Sequence, residues 1–176
     1  LGKGDSAWPH HRGPWGGGVR TDRVADHQRD EGKPMTAVKR GQSGPGIRSF
    51  DHVSLPMRNT DAMLSFYRAL GLTVNEGPQI CSVHLGDQKL NLHRPEFWQD
   101  PSFTTRAPAA EPPCGDFCVV WEGGADALTM LFERVGAEVE LGPVDRPGGR
   151  AGGSVTGTSR YIRDPDGNLL EFMIYL

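Results

Sequence analysis

The C-terminal part of this chain repeats itself, and the repeat constrains the fold more than any other sequence feature. FYRALGLTV at 66–74 resembles LFERVGAEV at 131–139, an offset of 131 − 66 = 65 residues. DQKLNLH at 87–93 overlays PDGNLLE at 165–171, an offset of 165 − 87 = 78 residues. Chance rarely preserves the order of elements together with residue type, so two copies of one unit are predicted.

In the first copy, hydrophobic periodicity predicts one strand, one helix and three further strands. Apolar and polar residues alternate in IRSFDHVSLPM, as in a half-buried strand. The following NTDAMLSFYRALG has apolar residues at three- and four-residue steps, with Asn59, Thr60 or Asp61 as the cap and Gly71 as the end of a helix. LTVNEG, ICSVHLG and KLNLHR then indicate three short strands.

The second copy has the same order of elements. GDFCVVWEG predicts a strand and ADALTMLFERVG a helix. AEVELGP, TSRYIRD and NLLEFMIYL predict three strands, the last of them preceded by the tight turn DPDG. The predicted fold class is therefore α+β, with two βαβββ modules. Module one spans 47–94, a linker spans 95–113 and module two spans 114–176.

Residues 1–46 differ in composition from the rest of the chain. They are dense in Gly, Pro and charged residues, and they lack the apolar content that would offset the entropy of ordering. We therefore predict a disordered N-terminal extension, in which the pair His10 and His11 is incidental. Translation from Met35 is a further hypothesis, which the mass of the intact native protein would test.

Charge, hydropathy and cysteine content exclude several functional classes. The net charge of −3 provides no broad basic field for nucleic acid or anionic lipid. No stretch approaches the roughly 20 apolar residues of a membrane helix, and no secretory signal is visible, so we expect a soluble cytoplasmic protein. Cys81, Cys114 and Cys118 are odd in number and lack CxxC spacing, which argues against a disulfide framework or a zinc knuckle. Cys118, within the apolar run FCVVW, is interpreted as a buried small hydrophobe.

Four ionisable residues are predicted to share the polar face of the strands: His52, His93, Asp116 and Glu171. His93 and Glu171 occupy the same position of the two copies at the offset of 78, and His52 matches Asp116 at 116 − 52 = 64. Equivalent positions converge if the two copies pack about a pseudo-twofold axis. Two imidazoles with one or two carboxylates suit a divalent transition metal, with Zn, Ni, Mn and Fe(II) as candidates. Asp116 could instead orient a ligand without binding the metal.

Three segments resemble the vicinal oxygen chelate superfamily, which contains glyoxalases, extradiol dioxygenases and bleomycin-resistance proteins. FDHVSLPMRNTDAMLSFYRALGL is similar to the opening strand and helix of that family, while GDQKLNLHRP and YIRDPDGNLLEFMIY are similar to the last strands of its two modules. The resemblance covers residues 47–176. It implies a cupped eight-stranded mixed sheet around a metal, with helices on the outer face. It also implies that His52, His93 and Glu171 are metal ligands and that Asp116 lies where a fourth ligand is common.

The resemblance also implies a function. The leading hypothesis is a metal-dependent enzyme, a lyase, isomerase or dioxygenase, acting on a small substrate that chelates through adjacent oxygens, with Glu171 as the general base. The alternative is a metal-free protein that binds and sequesters a small molecule. A homodimer with sites shared between subunits is expected by the same likeness, and no nucleic-acid or membrane partner is expected.

Other polar or glycine-rich features admit more than one interpretation. His84 has no repeat partner among the candidates and is interpreted as a surface or packing residue. The Gly-rich segment 146–160 could be a lid over the site or a plain linker. Four arginines, Arg146, Arg150, Arg160 and Arg163, could hold an anionic substrate, although a surface role accounts for most of them.

Overall fold

A computed structural model describes residues 46–175, and these residues contain two βαβββ modules as predicted. The elements of module one are β1 (His52–Pro56), α1 (Thr60–Ala69), β2 (Thr73–Asn75), β3 (Ile80–Leu85) and β4 (Gln88–His93). A short helix, α2 (Pro95–Trp98), follows. The elements of module two are β5 (Asp116–Val120), α3 (Ala125–Val135), β6 (Leu141–Pro147), β7 (Thr156–Arg163) and β8 (Leu169–Ile174), with a 3-10 turn (Arg150–Gly153) between β6 and β7.

The eight strands form two four-stranded sheets of identical topology. The strand order is β1-β4-β3-β2 in module one and β5-β8-β7-β6 in module two. In each sheet the first pair, β1 with β4 or β5 with β8, is parallel and the other pairs are antiparallel. The α+β class and the repeat are thus confirmed. The strands form two separate sheets, however, where one continuous sheet had been expected, and β1 and β5 are edge strands.

The core lies between the helices and one face of each sheet. Helices α1 and α3 contact each other, and their apolar residues pack with the inward side chains of the strands into one cluster. Phe132 of α3 meets Phe172 of β8 edge to face, with ring centroids 5.1 Å apart. Deeply buried members come from both modules, among them Met63, Leu64, Tyr67, Leu92, Leu128, Phe132, Ile162 and Leu170.

A buried carboxylate in module two caps the helix of module one. Asp166 accepts hydrogen bonds from the backbone amide of Arg58 at 2.6 Å and from that of Asn59 at 2.9 Å. Asn59 is the predicted cap of α1, yet its own side chain makes no capping bond; its amide group donates to the same carboxylate. The DPDG turn therefore supplies the acceptor that the start of α1 needs.

A second carboxylate of the same turn joins the two modules through a tyrosine. Asp164 accepts a hydrogen bond at 3.0 Å from the hydroxyl of Tyr67 on α1, and a further bond at 2.8 Å from the side-chain amide of Asn168. Asn168 in turn accepts from the backbone amides of Cys114 and Gly115, which precede β5. The turn had been predicted only as a local reversal, and the structure shows that it also connects the modules.

Several predicted boundaries were wrong. The second strand of module two is β6 at Leu141–Pro147, not 137–143, because its ladder follows β7 rather than the local alternation of AEVELGP. The predicted linker 95–113 contains α2. The first strand starts at His52, five residues later than expected. The predictions for residues 1–45, including His10, His11 and Met35, lie outside the described residues. Among the described residues, no helix is both long and apolar enough to cross a lipid bilayer.

Candidate functional site

The polar face of each sheet carries the predicted site residues. On β4, Leu90 and Leu92 are buried toward the helices, as the alternation predicted. His52 and Asn91 lie on the opposite face of module one, and Asp116 and Glu171 lie on the corresponding face of module two. The phase of all four strands was therefore predicted correctly.

The register of the strands corrects one of the repeat matches. Asp116 pairs with Leu169 and His52 pairs with Lys89, so β4 overlays β8 at 169 − 89 = 80, not 78. Glu171 consequently corresponds to Asn91, which is 171 − 80, and not to His93. The two-residue error kept every side chain on the correct face because a strand has a period of two, so the pattern of polarity alone could not reveal it.

The same register separates the two predicted histidine ligands of module one. His93 pairs with Pro56, which lies four residues (56 − 52) beyond His52 on β1. At about 3.3 Å per residue, His52 and His93 lie about 13 Å apart along the sheet. Imidazole nitrogens bind zinc at about 2.0–2.1 Å, so one ion cannot bind both side chains of a single chain. The register thus places His93 apart from His52 within the chain, and the four-residue ligand set stays a prediction on this point.

His52 lies at the open edge of module one. Its side chain is 45% exposed, and its Nδ1 lies 2.7 Å from a carboxylate oxygen of the neighbouring Asp51. The hydrogen bond from His52 holds the pKa of Asp51 below its ordinary value. A carboxylate on one ring nitrogen fixes the orientation of the imidazole and leaves its Nε2 available to a metal.

Asp116 and Glu171 lie on neighbouring strands of module two. The Asp116 side chain is exposed and makes no hydrogen bond to the described residues. Glu171 accepts a hydrogen bond from the hydroxyl of the fully buried Ser159 on β7. The Ser159 hydroxyl therefore fixes the position of one carboxylate oxygen of Glu171.

Cys118 lies directly beside Glu171 in the β5–β8 register and is exposed, not buried as predicted. The phase of β5 places it with Asp116 on the polar face, opposite Phe117 and Val119. Partial desolvation of the thiol, together with the charge of Glu171 and a hydrogen bond to it, raises the pKa of Cys118 to about 12. The thiol is therefore protonated at neutral pH and is a poor nucleophile there.

The candidate ligands do not meet within one chain. Among residues 46–175, no three His, Cys, Asp or Glu side chains are grouped closely enough to hold a metal ion. His52 and Asp116 instead lie on β1 and β5, which are the corresponding edge strands of the two sheets. A complete site would therefore need a different pairing of modules, such as one supplied by a second chain.

The predicted linker covers His93 and gives it an aromatic environment. The residue is 8% exposed, and its ring meets the rings of Phe97 and Phe103 edge to face, with centroids 5.3 and 5.4 Å away. The two phenylalanines stack on each other at 4.1 Å. Burial lowers the pKa of His93 below its ordinary value of 6.5, so the imidazole is neutral at pH 7. It lines a cavity of about 220 Å³.

The remaining polar candidates divide into structural and exposed groups. The Nε2 atom of His84 forms hydrogen bonds with the side-chain amide of Asn75 and with the hydroxyl of Ser82, both at 3.1 Å. These bonds agree with the predicted packing role. Arg163 forms a two-pronged ion pair with Glu140, with one contact at 2.8 Å. Arg160 donates to Thr129 and to the carbonyl of Ala125 on α3, on the helix-facing side.

The predicted Gly-rich segment 146–160 is partly strand. β6 extends to Pro147 and β7 begins at Thr156, so only the residues 148–155 connect them. Within the connection, Arg150 lies 4.0 Å from the centre of the Tyr175 ring. Arg146 stacks on Tyr161, on the strand next to Glu171. The segment is therefore a hairpin folded against its own sheet.

Comparison with known proteins identifies the family. A scan against protein-family models gave no match. The chain is 35% identical over 139 residues to glyoxalase domain-containing protein RDO1 of Mycosarcoma maydis, covering 78% of this chain and 74% of that protein. It is 31% identical over 132 residues to virulence protein STM3117 of Salmonella typhimurium, covering 74% and 86%. The chain belongs to the glyoxalase (vicinal oxygen chelate) superfamily.

Solved structures agree with that assignment. The crystal structure of STM3117 superposes with a TM-score of 0.64 at 30% identity and covers 75% of this chain and all of that one. Lactoylglutathione lyase from Agrobacterium tumefaciens gives a TM-score of 0.51 at 27% identity, covering 74% and 96%. TnmS3, an antibiotic binding protein from a Streptomyces species, shares the fold at 19% identity and a TM-score of 0.56. The glyoxalase fold is thus shared with both an enzyme and a binding protein.

Proposed function

We propose that this glyoxalase-superfamily protein is a metal-dependent enzyme acting on a small substrate with adjacent oxygen atoms, in a lyase, isomerase or dioxygenase reaction. The metal would be held by His52, Asp116 and Glu171. The observation that carries this proposal is that His52 and Asp116 occupy equivalent positions on the polar faces of the two sheets, and that Glu171 lies on the same face as Asp116, on the neighbouring strand. The 27% identity to a lactoylglutathione lyase supports an enzyme of this type.

The availability of these side chains distinguishes them from the other acids of module two. Asp164 and Asp166 are buried and fully engaged by hydrogen bonds that hold the modules together. Asp116 is exposed, and Glu171 is oriented by Ser159 without being neutralised by a cation among the described residues. Their charge is therefore available for a cation.

The donor set fits a divalent transition metal. One imidazole and two carboxylates are common ligands of Zn, Ni, Mn and Fe(II), and they do not select one of these metals alone. Asn91 holds the fourth equivalent position, and its amide oxygen is a weaker, neutral donor. Three strong protein ligands leave coordination positions open for substrate, as a catalytic site requires.

The chain's own residues define the chemistry of the site. A bound metal would supply Lewis-acid stabilisation of negative charge developing on a substrate oxygen. The Ser159 hydroxyl fixes one oxygen of Glu171, so the other oxygen, once it is released from the metal, can accept a substrate proton. Glu171 is therefore the proposed general base. Asp51 holds the ring of His52 in position from the outer side.

The proposed site needs two chains. Edge strands β1 and β5 carry His52 and Asp116, and exposed apolar residues adjoin them, including Val53 at 41% and Val120 at 50% exposure. Pairing of module one from one chain with module two from another would cover these edges and bring the candidate ligands together. Light scattering coupled to size exclusion is expected to report a homodimer; a monomer at micromolar concentration would contradict this arrangement.

The second candidate is a metal-free protein that binds a small molecule. It is favoured by the cavity at His93, which combines apolar residues such as Trp98 and Pro56 with polar ones and includes one potential metal ligand only. This alternative predicts ligand affinity that does not change when a chelator is added.

An activity panel tests the enzyme proposal. The full chain, loaded separately with Zn, Ni, Mn and Fe(II), would be assayed with a dialdehyde–thiol adduct, a catechol and an epoxide. Turnover in at least one assay is expected, and Glu171→Gln should reduce it by about 100-fold or more, the scale of a lost general base. His84→Asn is the matched control, because His84 lies on the same face as His52 but is held by Asn75 and Ser82. Equal loss in both variants would contradict the assignment.

A further inference from the structure

The cavity at His93 is lined by one arginine, whose guanidinium forms no ion pair with the described residues. Arg106 lines the cavity, is half-buried and has no carboxylate within ion-pair distance there. Its guanidinium lies 5.8 Å from the centre of the Trp98 ring, and one of its nitrogens donates to the carbonyl of Ala110 at 2.9 Å. These contacts fix the position of the charge and leave other N–H groups of the fork unused.

The polar groups around Arg106 are also available. The His93 imidazole is oriented by ring contacts with Phe97 and Phe103 and makes no hydrogen bond to the described residues. Among these residues, every fully buried side-chain nitrogen or oxygen has a hydrogen-bond partner. Because the imidazole nitrogens of His93 have none, they are not fully buried. The hydroxyl-bearing residues Ser54 and Thr105 line the same cavity. Donors and acceptors thus surround one positive charge.

The rest of the wall is apolar. Trp98, Pro56 and two alanines complete the lining. The Trp98 ring is itself fixed, because its indole N–H donates to the carbonyl of Met57 at 2.9 Å. A rigid wall of this kind favours a ligand with a flat apolar body over a highly hydrated one.

We propose that this cavity is a binding site for a small carboxylic acid anion with a flat apolar body. Arg106 would bind the carboxylate through its unused N–H groups, and Trp98 would contact the body. A single arginine matches a single negative charge, which favours a carboxylate over a phosphate. The volume of about 220 Å³ is below the 300–1,000 Å³ of drug-sized pockets, so the ligand is small.

The site does not depend on the proposed metal centre. His93 lies about 13 Å along the sheet from His52, as the strand register requires. Of the lining residues, His93 alone is a side chain that commonly binds a transition metal. Binding of the anion is therefore expected to be unaffected by a chelator.

Benzoate is a suitable probe because benzamide has the same shape without the charge. Each would be titrated into the full chain while the indole N–H resonance of Trp98 is followed by NMR, with Trp98→Phe used to assign it. Benzoate is expected to shift this resonance saturably and to bind about tenfold more tightly than benzamide, the scale of one charge-assisted hydrogen bond. Equal binding of the two compounds, or no saturable shift with benzoate, would overturn the proposal.

Two variants locate the charge. Arg106→Gln should remove the preference for benzoate, whereas Arg134→Gln, at an exposed position on α3, should retain it. Retention of the full preference by a folded Arg106→Gln protein would also overturn the proposal; if that variant does not fold, the benzoate and benzamide comparison in the unaltered protein decides. Benzoate binding that is lost on adding EDTA would place the anion on a metal and contradict this site. Benzoate binding in a protein that holds no metal would leave this inference intact and refute the proposed enzyme function.

Discussion

The two modules share one topology but use their polar faces differently. Module one presents His52 and Asn91 at the positions where module two presents Asp116 and Glu171. Module one is also covered at one end by the segment 95–113, which buries His93 on a face that would otherwise be exposed. A duplicated fold therefore specifies where side chains lie, while the chemistry at each position is set separately in each copy.

The hairpins that precede β4 and β8 show the same contrast. In module one, Leu85 pairs with Gln88 across a two-residue turn, Gly86 and Asp87, which is exposed. In module two the longer turn carries Asp164 and Asp166 into module one. The longer turn thus has a stabilising role that its counterpart lacks.

The largest expected effect on stability comes from removing the Asp166 carboxylate, through which the longer turn holds module one. Asp166→Ala would leave the backbone amides of Arg58 and Asn59 without their acceptor, and we expect a loss of about 3 kcal/mol or more in the free energy of unfolding. Asp87→Ala, in the equivalent hairpin of module one, should change it by less than about 0.5 kcal/mol. Urea unfolding measures both, and similar losses in the two variants would remove the distinction between the turns.

The hairpin between β6 and β7 provides the next test. A methyl group at Gly148 would lie 1.8 Å from the hydroxyl oxygen of Tyr175 and 2.6 Å from the sulfur of Met173. Gly148→Ala should therefore cost about 1–3 kcal/mol. At Gly149 a methyl group meets nothing within 4 Å, so Gly149→Ala is the control. Equal thermal stability of the two variants would indicate that the hairpin does not pack on its sheet.

The cover over module one is tested by the titration of His93. Phe103→Ala would open the aromatic contact that buries the ring. Because burial lowers the pKa of His93, the variant should have a higher pKa, closer to the ordinary value of 6.5. The side-chain NMR signals of the histidines, followed against pH, measure this. An unchanged or lower pKa in the variant would mean that Phe103 does not shield the imidazole. The variant should also lose about 1 kcal/mol of stability, as a partly buried aromatic contact does.

The smallest effect concerns the pH dependence of the turn. Burial raises the pKa of Asp164 above its ordinary value of 3.8. Asp164 therefore binds a proton more tightly in the folded state than in the unfolded state. Its contribution to the free energy of unfolding is fully present below pH 3.8. It is lost as the pH rises through the folded pKa, with a slope of at most about 1.4 kcal/mol per pH unit. Subtracting the profile of Asp164→Asn from that of the unaltered protein should show this decline. A difference that rises with pH would contradict it.

Much of the fold could be predicted because its signals are local. Helix α3 is capped by Gly136, in the left-handed conformation that the position requires, and β8 alternates as its sequence indicated. The site residues lie on the predicted face for the same reason. What failed depends on long-range pairing: the register that relates Glu171 to Asn91 is set by the β5–β8 ladder, not by sequence overlay.

Contacts between distant segments were also invisible in the sequence. Asp166 and Asn59 are 107 positions apart, and nothing in the pattern DPDGN distinguishes a turn that reaches another module from an ordinary one. The burial of His93 likewise depends on Phe97 and Phe103, in a segment without periodicity. Such contacts arise from packing after the elements have formed.

The central claim is that the metal is bound by His52, Asp116 and Glu171, without His93. Calorimetric titration of metal-stripped protein with Zn and with Ni tests it directly. One ion per chain is expected, with affinity reduced by at least about 100-fold in Glu171→Gln, which exceeds most losses of an outer-shell partner. His93→Asn should bind the metal as the unaltered protein does. Absence of metal binding, or a loss in His93→Asn as large as that in Glu171→Gln, would contradict the account.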